Sequence, residues 1–144
     1  MAATNRYRNV GPVTWTVGSP VTLTGIKSAN YDEGNTVLKE GADFDMYPTV
    51  GGVVFTDPKV SLEAIDAMAL FGTVAGAKGS LAITARDTNN GATTAGGAKL
   101  ITMSGAFLSI RTQAYQFNQF GTQSLTFEAI SVDGQTHPVA ITAL

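Results

Sequence analysis

The stretch VTWTVGSPVTLTGI, residues 13–26, alternates apolar and polar side chains on both sides of Gly18-Ser19-Pro20. A period of two places successive side chains on opposite faces of a strand, so that one face is buried and the other meets solvent. Proline cannot donate a hydrogen bond to a neighbouring strand. The stretch therefore predicts two strands, or one long strand broken at Pro20.

The same period recurs along most of the chain and predicts further strands. They cover residues 51–56, 59–65, 79–87, 100–110, 114–117, 123–132 and 136–141. Asp133-Gly134 is a dipeptide typical of tight hairpins and predicts that the last two strands form one. The fold class predicted from this pattern is mainly β, an antiparallel β-sandwich or barrel-like domain.

Three segments depart from the strand pattern. Asp66, with Gly72 after an apolar run, predicts a short α-helix at about 66–71, capped at its start and stopped by glycine. Residues 27–47 lose the alternation and predict a long loop, with a hairpin turn at 32–35 as one possibility within it. Residues 1–12 predict an N-terminal arm. With 144 residues and no internal repeat, the chain is expected to be a single domain, 1–144.

The composition excludes several function classes. Cysteine is absent, which rules out disulfides and thiolate chemistry, and a net charge of −2 argues against a free-standing nucleic-acid binder. The one histidine, His137, has no serine or carboxylate marked out as a catalytic partner, and no acidic spacing matches a metal loop. We therefore expect no catalytic residue, no metal, no cofactor and no enzyme activity.

Charged residues are scarce and unevenly placed. They make up 14% of the chain, against about 25% in ordinary soluble domains. Between residues 32 and 45 only Lys39 opposes five carboxylates, whereas the arm carries paired cations. Such opposite patches fit contacts between identical subunits stacked head-to-tail. The predicted inter-subunit contact residues are Arg6, Tyr7, Arg8, Asp32, Glu33, Glu40, Asp43 and Asp45.

The order of these features resembles phage tail tube proteins, a family shared with the inner tubes of contractile injection systems. The likeness includes the arm, the strand pair, the acidic segment after Ile26 and the strand-to-helix segment 60–70. It continues through the strand at 79–87 and the closing segment 125–134, with Pro138 beyond.

The resemblance implies a structural virion protein rather than a catalyst. Family members are β-sandwiches that form hexameric rings, and the rings stack into a hollow tube through which the genome passes. The arm and the loop 27–47 would then be inter-ring contacts. The implied partners are copies of the chain itself, other tail proteins such as tape measure, terminator and baseplate or sheath, and DNA as a transient, non-specific cargo.

Location and alternatives follow from the same observations. The polar, basic N-terminus is not a signal peptide and no apolar run reaches membrane-spanning length, so we expect synthesis in the host cytoplasm and a place in the virion tail. A capsid decoration protein or a tail adaptor or completion protein fits the same pattern. A β-sandwich module that binds carbohydrate or peptide, with Trp15, Tyr31 and Tyr47 as stacking groups, is the alternative of a different class.

Overall fold

The computed structural model describes residues 9–23, 25–65, 76–86 and 98–143. This part of the chain contains ten strands, β1 (Asn9–Val17), β2 (Ser19–Leu23), β3 (Ile26–Asp32), β4 (Asn35–Glu40), β5 (Val50–Thr56), β6 (Lys59–Ile65), β7 (Gly79–Arg86), β8 (Ala98–Ala114), β9 (Thr122–Ala129) and β10 (Val139–Ala143). The helix predicted at 66–71 lies outside the described residues. Within them, no helix is long and apolar enough to cross a membrane.

The strands are antiparallel and divide into two sheets. Eight of them form one sheet in the order β2-β1-β7-β8-β9-β6-β3, with β10 also paired to β8. Among the described strands, β4 and β5 pair only with each other. The arrangement is sandwich-like and not a closed barrel, which confirms the predicted fold class.

Strand β8 connects the two halves of the large sheet. Its first half pairs with β7 and its second half with β9. Gly105, near its middle, has a φ of +60°, and a Cβ added there would lie 2.5 Å from the carbonyl oxygen of Ile130. Only glycine tolerates both the left-handed backbone and this close approach. Glycine at position 105 therefore allows β8 to continue from one half of the large sheet into the other, so that the two halves can face each other.

The core lies between these two halves. Val60, Leu62 and Ala64 of β6 are buried while their neighbours are exposed, as a period of two requires. Across the core, the rings of Trp15 on β1 and Phe127 on β9 lie with their centroids 4.9 Å apart. Since β1 and β9 are not neighbours in the sheet, this ring contact joins the two layers.

Strands β9 and β10 do not form the hairpin that Asp133-Gly134 predicts. Both lie antiparallel to β8, where Ala129 is opposite Ala106 and Val139 is opposite Met103. The chain therefore runs along one side of β8 throughout, with residues 131–137 looping out midway. Asp133 and Gly134 sit within that loop, whose local turn chemistry resembles that of a hairpin.

The predicted long loop 27–47 is wrong in its local structure, because much of it forms β3 and β4. A hairpin turn at 32–35 is also wrong: β3 pairs with β6, whereas β4 pairs with β5. The connection between β4 and β5, residues 41–49, is the actual hairpin tip. Strand β4 is exposed at every position, so no buried face imposes the alternation that marks a strand in sequence.

Two further segments need smaller corrections, and a third agrees with its prediction. Residues 9–12 of the predicted arm belong to β1, and residues 1–8 lie outside the described part. The strand predicted at 114–117 is wrong, since β8 ends at Ala114 and a turn follows. The two strands left open at Pro20 are confirmed as β1 and β2, which turn at Gly18, where φ is +77°.

One buried side chain does not fit an apolar core. Gln123 on β9 is fully buried, and neither its amide oxygen nor its amide nitrogen has a hydrogen-bond partner within the described structure. A buried amide left without partners destabilises a fold by about 1–3 kcal/mol. Gln123 lies two and four residues before Leu125 and Phe127, so it faces inward with them. Its burial therefore follows from the alternation along β9.

We expect Gln123→Met to raise the free energy of unfolding by about 1–2 kcal/mol, because methionine has a similar length and no unsatisfied polar atom. Urea denaturation of the two proteins measures the difference. Gln116→Met, in an exposed turn, is the matched control and should change stability by less than about 0.5 kcal/mol. Equal or lower stability of Gln123→Met would show that its amide finds partners in solution.

Candidate assembly surfaces

The hairpin β4–β5 exposes apolar side chains on both of its faces. All its residues except Thr56 are exposed. The exposed apolar side chains of the hairpin and its tip are Val37, Leu38, Phe44, Met46, Tyr47, Val50, Val53, Val54 and Phe55. A lone two-stranded hairpin is marginally stable in water, and apolar patches of this extent mark interaction sites. The hairpin is therefore the main uncovered surface in the described part of the chain.

The base of the hairpin is closed by contacts between its own two ends. The amide of Asp57 donates to the carbonyl of Gly34 at 3.1 Å. Gly34 has a φ of +66°, and a Cβ added to it would overlap the carbonyl oxygen of Asp57. The Thr56 hydroxyl donates to the Asn35 side chain at 2.8 Å. These contacts hold the two strands together where the hairpin begins and ends.

The tip, residues 41–49, is held by Asp45. Its carboxylate accepts hydrogen bonds from the amide of Ala42 at 2.7 Å and from the hydroxyl of Thr49 at 3.3 Å. The side chains of Phe44, Met46 and Tyr47 project from this loop with exposed fractions of 106%, 89% and 77%. An ordered loop that presents three apolar side chains is a preformed contact surface.

The structure separates the predicted acidic contact residues into two groups. Asp32 and Glu33 lie at the base, whereas Glu40, Asp43 and Asp45 lie at the tip, and all five are exposed. The six residues of β4 place these groups about 20 Å apart. The other predicted contact residues, Arg6, Tyr7 and Arg8, lie outside the described residues. Only the acidic half of the predicted charge pairing can therefore be located.

The loop 131–137 is organised by Asp133. Its carboxylate accepts hydrogen bonds from the amides of Gln135 and Thr136 and from the hydroxyls of Thr136 and Ser131, at 2.8–2.9 Å. These bonds, led by the amide of Thr136, hold the pKa of Asp133 well below its ordinary value. The charged form of Asp133 is thus the form that orders the loop.

The loop also contacts the base of the hairpin. His137 Nδ1 accepts a hydrogen bond from the amide of Val139 at 3.0 Å, and its Nε2 lies 3.4 Å from Glu33 Oε1. Because Nδ1 is the acceptor, the neutral ring carries its proton on Nε2, facing Glu33. His137 is thus a surface residue that links two loops, with no hydroxyl nucleophile or metal set beside it among the residues described.

Asp133→Asn is expected to loosen the loop 131–137, since asparagine lacks the charged acceptor. A depressed folded-state pKa means that stabilisation by Asp133 is full above its ordinary pKa of about 4 and is lost as the pH falls below that value. Hydrogen exchange of the Gln135 and Thr136 amides, corrected for intrinsic rates, measures this. We expect wild-type protection at pH 5 to decline below pH 4, and Asp133→Asn to show low protection at both. Unchanged protection in the variant would contradict the assignment.

A groove lies between β5 and the loop 131–137. It has a volume of about 490 Å³ and is lined by residues 53–58 on one side and by 129–131 and 134–138 on the other. At the opposite end of β9, residues 115–121 form an exposed turn that we call the aromatic turn. Tyr115, Phe117 and Phe120 are exposed there by 65%, 92% and 89%.

The remaining sequence candidates are not brought together. Trp15 as a carbohydrate-stacking group is wrong, because it is 3% exposed and packs on Phe127. Tyr31 is half-buried, which together with Glu33 and Asp32 raises its pKa, and Tyr47 lies on the hairpin tip. Among the described residues, no group of three or more acidic or histidine side chains could hold a metal.

Comparison with known proteins identifies the fold but no sequence family. No protein-family model and no curated protein sequence matches the chain. Solved structures do match: the sheath/tube terminator of an extracellular contractile injection system has a TM-score of 0.58 at 13% identity, covering 98% of this chain and 100% of the other.

Two further matches come from related particles. The tube-terminating cap of the anti-feeding prophage has a TM-score of 0.55 at 14% identity, covering 100% of this chain and 95% of that one. The tail of an empty GTA particle, determined with C6 symmetry, has a TM-score of 0.53 at 8% identity, covering 92% and 95%. The chain therefore shares its fold with components of phage-like tails.

Proposed function

We propose that this chain is a structural virion protein of the tail, a tube subunit that assembles as stacked rings into a hollow conduit for the genome. The observation that carries the proposal is the hairpin β4–β5, which is uncovered on both faces in a chain with a tail-component fold. The described part of the chain does not bury this surface, but a ring or stack of copies would.

In this proposal the hairpin tip makes the inter-ring contacts. Its carboxylates, Glu40, Asp43 and Asp45, face the arm of a neighbouring copy, where Arg6 and Arg8 supply the opposite charge. Asp32 and Glu33 remain at the hairpin base. The inner sheets of six subunits would close side by side, which removes the open strand edges of the single domain.

A conduit also places limits on charge. A lumen poor in lysine and arginine lets DNA slide, because those cationic side chains would bind its phosphates and hold it. The chain has nine lysines and arginines against eleven acidic residues. The proposed partners are copies of the chain and the neighbouring tail proteins, including tape measure, terminator and baseplate or sheath. DNA is a transient, non-specific cargo that requires no catalytic group or cofactor from the chain.

The second candidate is a tube terminator or tail completion protein. It is favoured by the match to a sheath/tube terminator over nearly the full length of both chains. A terminator differs physically from a tube subunit in having only one face of its ring that accepts another ring. The two candidates therefore predict different limits to self-assembly.

Negative-stain images of the purified protein separate the candidates. A tube subunit is expected to give rings about 100 Å across that stack into tubes, an order of size set by six domains of this length. A terminator would stop at single rings or ring pairs at every concentration. Monomers alone, over a range of salt and protein concentration, would contradict both.

A further inference from the structure

We propose that the aromatic turn of one copy docks in the groove of the next copy, so that subunits join head-to-tail through a defined knob and hole. This inference rests on the proposed self-assembly and specifies one of its contacts. The groove is the one between residues 53–58 and 129–138, and the turn is residues 115–121.

The positions of the two surfaces support a heterologous contact. Strand β9 starts just after the aromatic turn and ends at Ala129 on the groove, so its eight residues separate knob and hole by about 25 Å. A turn cannot reach a groove at the other end of its own strand. Complementary surfaces at separate places on one molecule can join copies in a row into rings or stacks, whereas mutual exchange of knob and hole would close a two-fold dimer; the proposed assembly uses the first arrangement.

The charges favour the aromatic turn over the hairpin tip as occupant. Asp57 lines the groove, and Glu33 contacts its lining residue His137. The hairpin tip carries acidic residues of its own and would bring like charges together. The aromatic turn, sequence YQFNQFG, has no charged residue and meets no such repulsion.

Lys59 lies near the groove but does not reverse the negative charge there. Lys59 lies 3.8 Å from Asp57 and 3.6 Å from Glu128, so its one positive charge is shared between two carboxylates. The groove interior is apolar where Val54, Phe55 and Ile130 line it. Phenyl rings are therefore better matched to it than acidic side chains.

The area that the aromatic turn would bury in the groove is small, as expected for a contact repeated many times in one assembly. Each aromatic side chain offers roughly 200 Å², so the three exposed rings of the turn would bury about 500 Å² and the pair of surfaces about 1,000 Å². That total lies at the lower limit for a specific interface. A single such contact is weak, whereas many in one assembly stabilise it together.

Cysteine cross-linking tests the contact directly, because the native chain has no cysteine. The variant Phe117→Cys/Val54→Cys has one thiol on the knob and one in the hole, and both sites are exposed. A disulfide requires Cα atoms about 4.4–6.8 Å apart. Phe44→Cys/Val54→Cys, with a thiol on the hairpin tip, is the matched control, and the single variants show background.

We expect a ladder of covalent multimers on non-reducing gels for the first variant and at most a tenth of that yield for the control. Equal yields, or more from the control, would overturn the knob-and-hole contact. The absence of cross-links in protein that sedimentation shows to be assembled would also overturn the knob-and-hole contact. That result would leave the proposed function standing. Wild-type protein that never assembles would overturn both.

A second variant measures the contribution of the contact without cysteines. Phe117→Ser/Phe120→Ser changes two exposed side chains, so the fold should be unaffected. The protein concentration at half-assembly is expected to rise at least about tenfold. An unchanged value would overturn the proposal.

Discussion

Phe127→Ala is expected to lower the free energy of unfolding by about 3–5 kcal/mol, the range for removing a fully buried phenyl ring. Phe127 is 0% exposed, and its ring contacts Trp15 across the core. The substitution therefore leaves a cavity where the two layers of the sandwich meet. Small domains have a total stability of about 5–15 kcal/mol, so this is a large share.

Chemical denaturation followed by the fluorescence of Trp15, the one tryptophan, measures this loss. Phe117→Ala is the matched control, because the same change at a 92% exposed position should alter stability by less than about 0.5 kcal/mol. Should Phe127→Ala fail to fold, Phe127→Leu should still fold with a loss of about 1–1.5 kcal/mol. A loss below about 1 kcal/mol for Phe127→Ala would contradict the two-layer core.

Replacing Phe44, Met46 and Tyr47 by serine is the second large expected effect. These side chains are exposed, so the stability of the single domain should stay within about 1 kcal/mol of wild type. If the tip is buried between copies, three lost apolar contacts should raise the concentration at half-assembly at least about a hundredfold.

Light scattering over a concentration series measures the assembly of this triple variant. Val17→Ser, which changes an exposed apolar residue at the end of β1, is the control and should leave the midpoint near that of wild type. Assembly of the triple variant at wild-type concentrations would show that the hairpin tip contributes nothing to contacts between copies.

The sequence predicts strands best where one face is buried. Strand β6 follows the predicted alternation at Val60, Leu62 and Ala64, because only its inward positions must be apolar. Strand β4 gives no such signal, since neither of its faces is covered by the described residues.

Local turn chemistry misled the prediction at Asp133-Gly134. The hydrogen bonds of Asp133 to Gln135 and Thr136 are short-range features that a hairpin and a looped-out segment share. What distinguishes the two is the pairing of β9 and β10 with the same side of β8. That pairing depends on β8 (Ala98–Ala114), which lies about 20–35 positions before the dipeptide, so the dipeptide does not encode it.

For the candidate surfaces, the sequence located residues but not their grouping. The acidic residues were identified by their density, yet their division between base and tip depends on the pairing of β4 with β5. The segment from Tyr115 to Phe120 contains three aromatic residues and no charged one. The aromatic turn is exposed because it lies between the end of β8 and the start of β9. The apolar content of the segment does not reveal these strand ends.

We propose above all that copies of this chain cover one another's exposed hairpin and groove surfaces. Sedimentation velocity of the purified wild-type protein over a hundredfold concentration range tests it most directly. We predict a boundary that shifts from monomer to large species with rising concentration, consistent with rings and their stacks. A single monomer boundary at every concentration and salt condition would contradict the claim.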